Sequence, residues 1–220
     1  MNKEQVIKNT EEFVKAKLLG EGSGHDWWHI KRVRDLAKNI AKSENVDTFV
    51  VELAALLHDI ADWKSNQGDT EIGSRTAKEW LEQIGVEKNV TDQVTEIIKN
   101  LSFLGSENIK KPKTKEGEIV QDADRLDAIG AIGIARGFMF AGKRGLPMYD
   151  PDIKPVENMK AEQYKDLSRK SYTQINHFYE KLFLLKDLMN TKTAKKIAVD
   201  RDKFMREYLN EFYSEWEGKA

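Results

Sequence analysis

Cysteine is absent from the 220-residue chain, which excludes disulfides, thiolate metal sites and a cysteine nucleophile. Net charge is almost absent as well: 36 Lys and Arg stand against 37 Asp and Glu, leaving −1. A nucleic-acid binder normally carries a basic excess, so no nucleic-acid partner is expected. Long apolar runs are missing too. The longest stretch free of Asp, Glu, Lys and Arg is Ser171–Tyr179, nine residues, whereas a membrane-spanning helix needs about 20 mostly apolar ones. The opening Met1-Asn2-Lys3-Glu4-Gln5 has neither the apolar core of a signal peptide nor an Arg-rich transit pattern. These absences predict a soluble, cytoplasmic protein with no membrane partner.

Apolar residues recur at helical spacing, and no convincing strand alternation is found. Gly20-Glu21-Gly22-Ser23-Gly24 is the first break, and Asp26 is the expected cap of a helix carrying Ile30, Val33, Ala37 and Ile40 on one stripe. Asp47 caps the next. The segment 49–60 is apolar on nearly every side, which predicts a central buried helix. Gly68-Asp69 opens another helix that ends at Gly85, and a further one spans about 91–101. A Lys-rich loop is expected over 105–117, a long helix over 118–140, and an ordered loop over 142–155 with three of the four prolines. Gly130, Gly133 and Gly137 inside that long helix predict close approach by a neighbouring backbone. Two long helices are expected over 159–189 and 191–216. No repeat or low-complexity segment is present. The fold class is all-α: one compact domain over 1–220, a bundle of roughly eight or more helices, with its motifs within 25–127 and helices from 159 to 217 packed on it.

Histidines number four, His25, His29, His58 and His177, and the first three precede residue 60. One abuts a carboxylate in the most apolar stretch: Leu56-Leu57-His58-Asp59-Ile60. Burying such an ionisable pair is costly unless a cation compensates it. Taken alone, the pair is better explained by a capped helix end, with His58 and Asp59 hydrogen-bonded to nearby backbone. Two further segments change that reading: Gly24-His25-Asp26-Trp27-Trp28-His29 upstream, and Asp122-Ala123-Asp124-Arg125-Leu126-Asp127 downstream. Imidazoles together with carboxylates suit Mn, Fe, Co, Ni or Zn, and calcium less well. A clamp of His25 and His29, four apart, is a rival arrangement, weakened because His25 falls before the cap at Asp26.

The order His29, His58-Asp59, Asp124 resembles the ligand set of the HD-domain phosphohydrolase superfamily, and the flanking residues resemble its small bacterial soluble branch. The likeness extends through Gly142-Lys143-Arg144-Gly145-Leu146-Pro147-Met148-Tyr149 and Asn176-His177-Phe178-Tyr179-Glu180-Lys181-Leu182, so it covers nearly the whole chain. It implies an all-helical fold, one divalent metal held by His29, His58, Asp59 and Asp124, and hydrolysis of phosphate esters or anhydrides. Manganese is the expected metal, with Fe, Co, Ni, Zn or Mg as alternatives. The implied substrate is a phosphorylated small molecule, a nucleotide, and foremost a nucleoside or deoxynucleoside triphosphate cleaved to monophosphate and pyrophosphate. A 5′-nucleotidase, an alarmone hydrolase or a non-catalytic nucleotide-sensing module are the alternatives, and a homo-oligomer is compatible with all of them. No histidine lies between Asp59 and Asp124, which favours a mononuclear site over the multinuclear sites of some relatives.

Asp62 falls four after His58 and three after Asp59, on one face if the helix continues. An acidic residue at this place in some HD phosphohydrolases is proposed to handle the proton of the attacking water. Asp62 is therefore the candidate general acid/base, or else a hydrogen-bond partner of a ligand. Phosphate requires cations or backbone amides; the candidates are Arg32, Lys64, Lys99, Arg125, Arg136, Lys143 and Arg144. Lys64 and Arg125 rank first, because they adjoin ligand segments; Lys64 is also assigned to catalysis and Arg32 to substrate binding. Trp27, Trp28 and Trp63 line a pocket or belong to the core, and His177 reads as structural. Asp122 and Asp124 stand two apart, about 200° around a helix, so both cannot face one metal. Asp124 is taken as the ligand, and Asp122 as a partner of a ligand histidine or a cap.

Overall fold

The computed structural model describes residues 2–22, 24–61, 66, 69–101, 111–156, 159, 162–163, 166 and 172–219. Among these, the regular elements are helices: α1 (Lys3–Leu18), α2 (Trp27–Ala41), α3 (Thr48–Leu57), α4 (Ile72–Gln83), α5 (Lys88–Lys99), α6 (Lys115–Asp127), α7 (Gly130–Lys143) and a C-terminal helix (Lys192–Trp216). The all-α expectation holds. Sequence chemistry sets the starts: the side chains of Asp26, Asp47, Thr114 and Thr191 each accept from a backbone N–H of the first turn.

Helix α3 is the centre of the bundle. Val50, Val51 and every residue from Leu53 to Leu57 are buried, and α1, α2, α5 and α6 pack around it. Fully burying one such Leu or Val contributes roughly 1.5–3 kcal/mol, so this helix is held on all sides. Its C-terminal end is thereby fixed in place, and with it His58 and Asp59.

Several expected boundaries are corrected. Helix α3 stops at Leu57 rather than running to Ile60; His58 and Asp59 lie in a turn closed by Ile60 N–H donating to Leu57 O at 3.2 Å. His58 and Asp59 are thus not part of a regular helix, and Asp62 lies outside the described residues. The single helix expected over 118–140 is two. It begins earlier, at Lys115, because Thr114 caps it, and it breaks at Ala128–Ile129. Gly130 takes φ +75°, a left-handed conformation open to glycine at little cost. A Cβ on Gly133 would lie 2.2 Å from the Ala128 carbonyl oxygen, so the first turn of α7 folds directly onto the end of α6. The backbone approach expected at these glycines is thus found at Gly133 alone and is local, whereas Gly130 and Gly137 face the side chains of Arg201 and Gln174. The helix expected over 159–189 is regular only in pieces: an α-turn at Gln174–His177, a π-turn at Phe178–Leu182, Phe183–Leu185, then a 3₁₀ turn at Lys186–Leu188. Most of 157–171 lies outside the described residues. No helix of the described residues is long and apolar enough to cross a membrane.

Candidate metal centre

His29 stands on the first turn of α2, its backbone N–H donating to Asp26 Oδ1 at 2.9 Å. His58 is the C-cap of α3, Asp59 comes next in the turn, and Asp124 lies on the last turn of α6. Helix α2 packs against both α3 and α6, so the three segments meet at one end of the bundle core. Both imidazoles are buried, while Asp59 and Asp124 keep partial access to solvent.

The ring orientations are set by what each Nδ1 touches. His58 Nδ1 is 2.8 Å from the Ala55 carbonyl oxygen, which can only accept, so Nδ1 carries a proton. His29 Nδ1 is 2.8 Å from Asp127 Oδ2. Burial would raise the Asp127 carboxyl pKa, but the His29 and Arg32 hydrogen bonds and the charge of Arg136 outweigh it and hold it at about 2. Asp127 is ionised and accepts, so His29 Nδ1 donates as well. In the neutral rings both Nε2 lone pairs then point the same way, into the cluster.

Those two Nε2 atoms approach to 3.1 Å. Asp59 Oδ2 lies 3.4 Å from His29 Nε2 and 3.9 Å from His58 Nε2. Asp124 Oδ1 lies 3.5 and 3.7 Å from the same two atoms. Two facing lone pairs and two carboxylate oxygens repel one another unless a cation joins them. Separations of 3.1–3.9 Å suit atoms that share one divalent transition metal, whose bonds to nitrogen and oxygen are about 2.0–2.2 Å. The residues present fit such an ion.

Without it, protons are held instead. Burial would lower the His58 pKa, but the charges of Asp59 and Asp124 and the Asp124 hydrogen bond raise it to about 9. Burial would raise Asp59, yet the charges of His25 and His58 and the His25 and His29 hydrogen bonds pull it well below the usual carboxylate range. Asp124 is likewise lowered: burial is overcome by its hydrogen bond to His58 and by the charges of His58 and His29.

His25 also enters the cluster. Its Nδ1 is 2.6 Å from Asp59 Oδ2, and it forms with His29 and Asp59 a second set of potential ligand atoms within 4.8 Å of one another. His25 does precede the α2 cap, as expected from Asp26. It is brought back because Gly24 adopts φ +85° with Arg136 packed closely against it. Asp127, not singled out in the sequence, is the other addition. Its signal was its position three after Asp124, on the same helical face.

The remaining expected residues divide. Arg32 donates to both oxygens of Asp127, from Nε at 2.8 Å and from Nη2 at 3.0 Å. Arg125 points elsewhere: its guanidinium donates to the Leu188 carbonyl, so it does not join the cluster as expected of a phosphate ligand. Adjacent positions differ by about 100° on a helix, which separates it from Asp124. Arg136 pairs with Asp127, Lys99 with Glu71, and Lys143 with Glu21, while Arg144 lies over the Phe140 ring. Trp27 is core and Trp28 is half exposed. His177 neighbours the Tyr172 ring. Asp122 is buried and accepts from the N–H and hydroxyl of Thr191 and from Asn190, binding the start of the C-terminal helix rather than a ligand histidine. Asp62, Lys64 and Trp63 lie outside the described residues.

Residues 27–129 match the HD domain family. The Bacillus subtilis protein YpgQ is 40% identical over 209 residues, covering 93% of this chain and 92% of that one; its crystal structure in complex with ADP superposes with TM-score 0.72. A crystal structure from Lactobacillus plantarum is 38% identical with TM-score 0.86, covering 99% of this chain and 100% of that one. A Bacillus thuringiensis HD-superfamily hydrolase is 41% identical with TM-score 0.72, covering 98% and 99%.

Proposed function

Because the chain belongs to the HD-domain superfamily and is a metal-dependent phosphohydrolase, we propose that its substrates are nucleoside or deoxynucleoside triphosphates, hydrolysed to monophosphate and pyrophosphate. The observation behind this reading is that Asp59 Oδ2 and Asp124 Oδ1 each lie within 3.9 Å of both His29 Nε2 and His58 Nε2, which are themselves 3.1 Å apart. These four residues are proposed to hold one divalent ion, manganese foremost. Such an ion would draw charge from a phosphate oxygen and lower the pKa of water beside it.

The chain's own part is positioning and proton transfer. Asp59 and Asp124 face solvent on one side, which leaves that side for substrate. Water would add at the α-phosphorus as the α–β anhydride bond breaks, pyrophosphate leaving. Asp62, three residues after Asp59, is proposed to take the proton of that water. Lys64 is proposed to meet phosphate charge, since Arg32 and Arg136 are engaged by Asp127. The nucleotide class is supported by YpgQ, which binds ADP in its crystal structure.

The test is incubation with a nucleotide panel and added Mn²⁺, with products separated by chromatography. Monophosphate plus pyrophosphate is expected. Nucleoside plus triphosphate, or diphosphate plus phosphate, would overturn the bond assignment, and no turnover of any nucleotide would overturn the substrate class. Asp62→Ala should lower kcat about 10²–10⁴-fold, the usual worth of a positioned acid/base, with Mn²⁺ binding retained.

A further inference from the structure

The polar contact between α2 and α6 is repeated one turn away from the metal cluster. His29 and Asp124 face each other in the cluster; Arg32, three residues after His29, and Asp127, three after Asp124, meet behind it. The Asp127 side chain is 2% exposed. An ionised carboxylate there needs compensation, and it receives more than one partner: His29 Nδ1 at 2.8 Å, Arg32 Nε at 2.8 Å and Arg136 Nη1 at 3.1 Å. Arg136 reaches past Asp127, donating through Nε to the Gly24 carbonyl at 2.7 Å, next to His25.

We propose that Asp127, clamped by Arg32 and Arg136, is a positioning residue that sets the metal affinity of the cluster by locking His29 in its Nδ1–H form with Nε2 aimed at the ion. The inference rests on the reading of His29 as a metal ligand. The geometry has three consequences. The imidazole cannot flip without breaking a short contact to a charged acceptor. Its Nε2 is made a better donor by the carboxylate at the opposite nitrogen. The two guanidiniums fix where the Asp127 carboxylate sits, but their net positive charge by itself opposes a cation, so removing one of them should weaken binding less than removing Asp127. Arg32 is thereby assigned to the metal centre rather than to substrate, and Arg136 joins the same layer to the backbone beside His25.

The test uses the full chain and Mn²⁺ as the probe. Binding is measured by the EPR signal of free Mn²⁺ for the unaltered protein, Asp127→Asn and Arg32→Gln, beside the melting temperature of each metal-free protein. Loss of such a partner is worth about 10–100-fold in affinity; Asp127→Asn should show that loss. Arg32→Gln should weaken Mn²⁺ binding by less, with substrate KM at saturating Mn²⁺ unchanged. Long-range ¹⁵N–¹H NMR of the metal-free unaltered protein should show His29 with its proton on Nδ1, a readout that does not require any variant to fold. His29 found as the Nε2–H form would overturn the proposal, as would a folded Asp127→Asn that binds Mn²⁺ as tightly as the unaltered protein. Unchanged Mn²⁺ affinity with a raised KM in Arg32→Gln would return Arg32 to substrate binding and overturn its place here. Absence of Mn²⁺ binding by the unaltered protein would instead sink the underlying assignment of the ligands.

Discussion

His58 shows how far a single residue can be shifted by its neighbours. Its ordinary pKa of 6.5 rises to about 9 because Asp59 and Asp124 outweigh the cost of burial. The protonated form is therefore favoured by folding. That stability is fully present below pH 6.5 and is lost as pH rises through 9, where the ring is neutral in both states. An ion held by His58, as proposed, needs the neutral ring and must displace this proton. Apparent Mn²⁺ affinity should rise by about tenfold per pH unit below pH 9, with one proton released per ion bound. Titrations in buffers of different ionisation enthalpy read both quantities. An affinity independent of pH between 7 and 9 would contradict the raised His58 pKa. The residue type and spacing of His29, His58, Asp59 and Asp124 were legible in the chain; the shift was not, because it comes from carboxylates gathered out of different segments.

At the scale of elements, α6 carries two aspartates with opposite duties. Asp124 faces the cluster, while Asp122 accepts from Thr191 N–H at 2.8 Å, Thr191 Oγ at 2.8 Å and Asn190 N–H at 2.8 Å. Helical rotation separated the two correctly in the sequence, yet the Asp122 partners come from 68 and 69 residues away. Asp122→Ala would leave those donors buried without an acceptor, a loss of about 1–3 kcal/mol, and should retain metal. Asp124→Ala should abolish metal retention with a smaller effect on the metal-free fold. Urea unfolding and elemental analysis of both variants check this; metal lost from Asp122→Ala but kept by Asp124→Ala would reverse the register of α6. The break between α6 and α7 is an element-scale decision as well. Apolar periodicity continues across Ala128–Ile129, so nothing local marks a stop except Gly130.

For the whole molecule, the proposed metal cluster ties α2, the end of α3 and α6 together at one end of the core. An ion bound only by the folded chain must then stabilise all of it. At a free Mn²⁺ concentration of 100 Kd the gain is about 2.7 kcal/mol, or roughly 5–10 °C in Tm for a chain of this length. Calorimetry with and without Mn²⁺ measures it, and a chelator should reverse it. Asp124→Ala should lose the shift; an equal shift in that variant would place the stabilising ion elsewhere.

Local patterns in the chain determined the all-α class, the caps at Asp26 and Asp47 and the buried character of α3. Each depends on residues within a few positions of one another, where helical spacing and side-chain type suffice. Tertiary structure decided the rest. Arg32 and Arg125 look alike in sequence, each beside a ligand segment, but one reaches Asp127 across 95 residues and the other turns to Leu188. His25 lies outside its helix, and Gly24 folds it onto Asp59. Asp127 finds His29 98 residues away. A long charged or polar side chain can satisfy itself with many partners, and only the packing of α2, α3 and α6 selects which one it meets.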